Sequence, residues 1–112
     1  MAANYDITIE QGATFTFSVT VTALNLTGYT ARMQGRTSHA SPDKVFNLTS
    51  SGGGLTVTAA TNSIILVTIS ATATALIAAP SSGVYDLEIE SDSGVVTRLL
   101  QGTYQVTPEV TR

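Results

Sequence analysis

The sequence predicts an all-β protein, an antiparallel β-sandwich of about 8 strands in the jelly-roll or immunoglobulin-like manner. Three observations predict it. The dominant hydropathy period is two residues: Thr14-Phe15-Thr16-Phe17-Ser18-Val19-Thr20-Val21-Thr22 alternates hydroxyl and apolar side chains without a break. Turn signals recur about every 8–12 residues, the spacing of sandwich and barrel strands. One stretch alone, residues 70–79, has a helical composition, and Pro80 stops it. The Gly52-Gly53-Gly54 run is too short to join two domains, and neither half carries a core of its own. Residues 1–112 are therefore read as a single β-sandwich domain with extended N- and C-terminal ends.

The elements follow in order. Tyr5-Asp6-Ile7-Thr8-Ile9-Glu10 places Tyr5, Ile7 and Ile9 on one inward face, and Gln11-Gly12 turns the chain. The Thr14–Thr22 run is a half-buried strand with Phe15, Phe17, Val19 and Val21 inward. Tyr29, Ala31 and Met33 point inward from a third strand, and residues 36–42 form an exposed loop. Residues 44–49 and 55–58 are short strands separated by the Gly triplet. Ile64-Ile65-Leu66-Val67-Thr68-Ile69 reads as a strand covered on both faces, because it is β-branched and almost wholly apolar. Ser70 or Thr72 caps a helix of about two turns. Residues 84–90 alternate again with Asp86, Glu88 and Glu90 on the wet side, and Ser91-Asp92-Ser93-Gly94 turns into the last strand. Gly102 is expected to mark a bulge there, and Pro108 ends the ladder.

Chemistry is sparse in this sequence. His39 is the single histidine and lies in the polar loop Thr37-Ser38-His39-Ala40-Ser41. Ser38 or Ser41 with Asp43 would complete a triad only in name, since side chains so close in one loop rarely align and no G-x-S-x-G elbow exists. Asp86, Glu88 and Glu90 repeat at about 7 Å along one face, too far apart to share one ion, and no calcium-loop motif is present. No lysine and hydroxyl residue follow the Gly triplet as a phosphate loop requires. No catalytic residue, cofactor or metal is expected. A carbohydrate platform needs exposed aromatics; there is no Trp, and only Tyr29 and Tyr104 are of open facing.

Composition narrows the partners. Charged residues make up 12% of the chain, against roughly 25% in an average domain. In their place stand 19 Thr and 11 Ser. A net charge of −3 argues against nucleic acid as a partner, because phosphate binding needs a dense cationic face. No run approaches the ~20 apolar residues of a membrane span, so no membrane partner is expected. The opening residues lack the basic stretch and apolar core of a secretory signal. A strand face carrying Thr14, Thr16, Thr20 and Thr22 without charge packs against another protein without desolvating ions. That composition fits a component of an assembly.

Three blocks carry a resemblance over essentially the whole chain. The run from Tyr5 to Phe15 resembles the start of small virion proteins of tailed bacteriophages and prophages. Leu26-Thr27-Gly28-Tyr29-Thr30-Ala31-Arg32-Met33-Gln34 resembles their second block. The segments Gly83–Ile89, Val96–Gly102 and Pro108–Arg112 resemble their third. The chain is also similar, less closely, to the amino-terminal domain of phage baseplate upper proteins. The resemblance implies a sandwich that decorates the capsid exterior as a cement or staple protein of short-tailed enterobacterial phages, without enzymatic activity. Its partner would be the major capsid protein, with a homodimer or higher-order lattice; the alternatives are a tail or baseplate adaptor and a carbohydrate-binding module. Candidate partner-binding residues are Tyr5, Thr14, Thr16, Tyr29, Arg32, Arg36, Arg98, Pro108, Val110 and Arg112. The two chain ends are candidate arms that add to a neighbour's sheet, and the arginines candidate partners for acidic sites on a shell.

Overall fold

A computed structural model describes residues 3–111. Among the described residues nine strands and one short helix follow in order: β1 (Ala3–Asn4), β2 (Ile7–Glu10), β3 (Phe15–Val21), β4 (Thr30–Arg36), β5 (Phe46–Thr49), β6 (Leu55–Thr58), β7 (Ser63–Ile69), α1 (Ala71–Ala75), β8 (Ser81–Glu90) and β9 (Val96–Thr107). They form two packed sheets, the sandwich that the period-two pattern predicts. The large sheet runs β1-β9-β8-β4-β5, with β2 also beside β9, and the small sheet runs β3-β7-β6.

This order is the immunoglobulin one. The small sheet corresponds to strands B, E and D, and β9-β8-β4-β5 to the G-F-C-C′ order of a variable-type domain. The first strands depart from the constant-type arrangement, in which strand A lies beside strand B. Here β1 and β2 both run parallel to β9, with Ala3 opposite Leu100 and Ile7 opposite Tyr104. The large sheet is therefore mixed, and the outer side of β3 has no strand beside it among the described residues.

The core lies between the sheets. Ile9, Met33, Ile65, Val67, Leu87, Ile89, Tyr104 and Val106 are almost fully enclosed, each contributing about 1.5–3 kcal/mol of burial free energy. They come from the alternate positions of β2, β4, β7, β8 and β9, which is why the alternation is legible in the sequence. Two buried hydroxyls fix the connections. The Ser63 Oγ accepts from Leu26 N at 2.9 Å and from Ala60 N at 3.2 Å, pinning the β3–β4 crossing to the start of β7. The Thr74 Oγ1 donates to Ala13 O at 2.8 Å and accepts from Gly12 N at 3.0 Å, holding α1 against the β2–β3 turn.

Four expectations change. The first strand is interrupted: the Asp6 carboxylate accepts from Thr103 N at 3.0 Å, replacing a backbone ladder bond, and the chain resumes in unchanged register. Tyr5, expected inward, is consequently 50% exposed. The bulge falls at Leu99, between the pairs Leu87–Leu100 and Glu88–Arg98, and not at Gly102. Gly102 lies opposite the interruption, where a Cβ would collide with the Tyr5 carbonyl. The helix is only five residues long, because Leu76 closes it and Ile77 turns into the core. Finally, β7 is covered on one face alone; nothing stacks on the small sheet's outer side among the described residues, leaving Ile64 43% and Leu66 42% exposed.

Candidate interaction surfaces

The two outer faces differ in kind. On the large sheet, the outward positions of β4, β8 and β9 carry Arg32, Arg36, Asp86, Glu88, Glu90 and Arg98. Register places Arg32 opposite Glu88 on one side and brings Arg98 opposite the same residue on the other. The Arg32 guanidinium donates to Glu88 Oε1 at 3.0 Å and Glu90 Oε1 at 3.2 Å. Its pKa is raised, first by the Glu88 hydrogen bond. Arg98 lies 3.5 Å from Asp86 Oδ2 and 3.9 Å from Glu88 Oε2, and donates to Gln101 Oε1. Arg36 donates to Ser41 O and to Gln34 Oε1. All three arginines thus have partners on their own sheet or its adjoining loop. Exposed pairs of this kind contribute about 0–1 kcal/mol each.

This face is also shallowly concave. An open hollow of about 470 Å³ is lined by Asn4, Gln34, Arg36, His39, Asp86 and Arg98 among others. Burial and the neighbouring Glu88 raise the Asp86 pKa, and Arg98 opposes them. Among the described residues no three His, Cys, Asp or Glu side chains converge as metal ligands. Also among them, no helix is long and apolar enough to cross a membrane.

The small sheet presents the opposite character. Its outward positions are Thr16, Ser18 and Thr20 on β3, Ile64, Leu66 and Thr68 on β7, and Thr56 and Thr58 on β6. Cross-strand pairs align Ser18 with Leu66, Thr20 with Ile64 and Thr56 with Leu66. Two exposed aliphatic side chains are thereby ringed by hydroxyls, and β3, β6 and β7 contain no ionisable side chain. The Thr16 and Thr68 hydroxyls lie 3.5 Å apart.

The ten candidate residues do not form one site. Thr14 and Thr16 belong to the small sheet's side, and Arg32 and Arg98 to the opposite face of the sandwich. Tyr5 sits at the side between the sheets, its carbonyl accepting from the Tyr85 hydroxyl and its ring 5.6 Å from that of Phe17. Tyr29 is half-buried against the core. Tyr104, considered as a glycan platform, is 1% exposed and stacks edge-on against Phe46, so it cannot serve as one. At the C-terminal end Pro108 is exposed and Val110 is 93% exposed, but between them Glu109 N donates to Gln11 Oε1 at 3.1 Å. Arg112 and the first two residues lie outside the described residues. Sequence reasoning missed Ile64 and Leu66 as surface residues; a continuous apolar run gives no sign of which face lacks a cover.

No protein-family model matches this chain, and no curated protein matches it.

Proposed function

We propose that this protein is a non-enzymatic structural protein of a bacteriophage virion, decorating the capsid exterior by binding the major capsid protein. The observation that carries the reading is the uncharged outer face of the small sheet, with Ile64 and Leu66 at its centre. Docking on such a face removes apolar and hydroxyl surface from water without stripping hydration from an ion. The three-block resemblance supports the virion context. A cement protein stabilises the assembled shell because it binds the shell and not free subunits, by mass action. Modest contacts repeated over a lattice then add through avidity.

Co-sedimentation with empty capsids, and separately with tails, tests the proposal. Saturable capsid binding at a stoichiometry near that of the coat protein is expected. Leu66→Lys, which sets a charge in the middle of the face without touching the core, is expected to abolish it while circular dichroism stays unchanged. Binding to tails alone, at a few copies per particle, would overturn capsid decoration in favour of a tail or baseplate adaptor.

A further inference from the structure

Each free edge of the two sheets has a distinct defence against pairing with another chain, except one. The β5 and β6 edges are four residues long. The β1–β2 edge is broken at Tyr5–Asp6 and carries Asp6 and Glu10. Short length, charge and irregularity are the usual means of blunting an edge. The β3 edge has none of them. It is seven residues of regular strand without charge, Pro, Gly or bulge, and no described residue pairs with its outer side. Its inward side chains Phe15, Phe17 and Val19 stay only partly covered.

We infer that the β3 edge pairs antiparallel with β3 of a second copy of this chain, across a two-fold axis at Ser18. The occupant follows from the pattern of the strand itself. A two-fold antiparallel pairing centred on Ser18 sets Phe17 opposite Val19, Thr16 opposite Thr20, Phe15 opposite Val21 and Thr14 opposite Thr22. Every apolar side chain then meets an apolar one and every hydroxyl meets a hydroxyl, because the strand alternates strictly, and an axis at Ser18, the midpoint of β3, pairs the strand over its whole length. Isologous contacts require such self-complementarity. They also bring like residues of the two copies close together, so a charged strand would repel itself; this one carries no charge. A shift of the axis by half a residue would set Phe17 against Ser18 and turn every apolar position toward a hydroxyl. The pairing joins the two small sheets into one six-stranded sheet and makes their uncharged outer faces continuous. The inference concerns the chain alone and does not depend on the capsid reading.

The chain has no native cysteine, which permits a register-specific test. Directly opposed residues of antiparallel strands have Cα atoms about 4.5–5.5 Å apart, within disulfide reach. Ser18→Cys is expected to give a covalent dimer on mild oxidation. Thr16→Cys alone is expected to stay monomeric in denaturing gels, whereas a mixture of Thr16→Cys and Thr20→Cys chains cross-links. Sedimentation equilibrium of the unmodified chain is expected to show a monomer–dimer equilibrium that Ser18→Lys shifts to monomer and Ser18→Thr preserves, both variants keeping the parent circular dichroism. A dimer that survives Ser18→Lys would overturn the inference by placing the contact elsewhere. So would cross-linking of Ser18→Cys no faster than that of Thr97→Cys, an exposed control on β9.

Discussion

Ser63 and Tyr104 are both buried polar residues, and they have opposite hydrogen-bonding fates. The Ser63 hydroxyl serves the backbone of Leu26 and Ala60, two segments without ladder partners at that point. Removing it orphans the buried Leu26 N–H, which costs about 1–3 kcal/mol. Ser63→Ala is therefore expected to lower the melting temperature by several degrees without altering the secondary structure, measured by thermal circular dichroism. The Tyr104 hydroxyl is enclosed without a partner among the described residues, and burial raises its pKa. Its ring packs on Phe46 while the hydroxyl forfeits its hydration. Tyr104→Phe is expected to leave stability equal or higher, the reverse of Ser63→Ala in the same assay. Neither fate is legible in the sequence, where nothing marks Ser63 as buried and Tyr104 is an aromatic of open facing.

At the scale of elements, the strands were legible wherever alternation reports one-sided burial. The β3 pattern predicts both its limits and its facing to within a residue; in β8 the facing of Tyr85, Leu87 and Ile89 is as predicted, but the strand starts at Ser81, three residues before the alternation predicts. The parallel pairing of β2 with β9 was not legible, because its partners lie 97 residues apart and no turn announces them. Tyr5 keeps the alternation yet lies half exposed at the side of the sandwich, since the Asp6 side chain stands in for a ladder bond that a pattern of hydropathy does not encode. The composition predicts a longer helix because it stays Ala-rich past Ala75, whereas tertiary contacts end the helix there. Those contacts centre on Thr74, which ties α1 to Gly12 and Ala13. Thr74→Val keeps the shape and removes both bonds; a loss of about 1–3 kcal/mol in denaturant unfolding is expected, with protease cleavage appearing between β7 and β8. Unchanged protection of that segment would mean that Ile77 alone holds the helix in place.

Across the whole molecule, the buried tyrosines make stability depend on alkaline pH. Burial, with smaller contributions from Tyr5 and Asp6, pushes the Tyr85 hydroxyl up to about 12. In the unfolded chain a tyrosine loses its proton near pH 10. Between those values the folded state holds a proton that the unfolded state has released, so stability falls as pH rises through the window and is unaffected below it. Denaturant titrations at successive pH values are expected to show this decline, and Tyr85→Phe to reduce it; Tyr104, whose pKa burial also raises, acts in the same direction. Stability that stays level across the window would contradict the enclosed state of both hydroxyls. The contrast between the two outer faces is likewise a property of the assembled sandwich. The sequence shows few charges; register concentrates the arginine–carboxylate pairs on the large sheet and leaves the small sheet neutral.

The pairing of β1 and β2 with β9 has a mechanical consequence. The first and last strands run side by side in the same direction, so tension applied to the two ends pulls them along their length in opposite senses. The bonds between them lie across that pull and share the load together, in shear, where an antiparallel hairpin would open one bond at a time. A domain anchored by both ends would therefore resist stretching far beyond what its equilibrium stability implies, because forced rupture follows the unfolding rate and not the folding free energy.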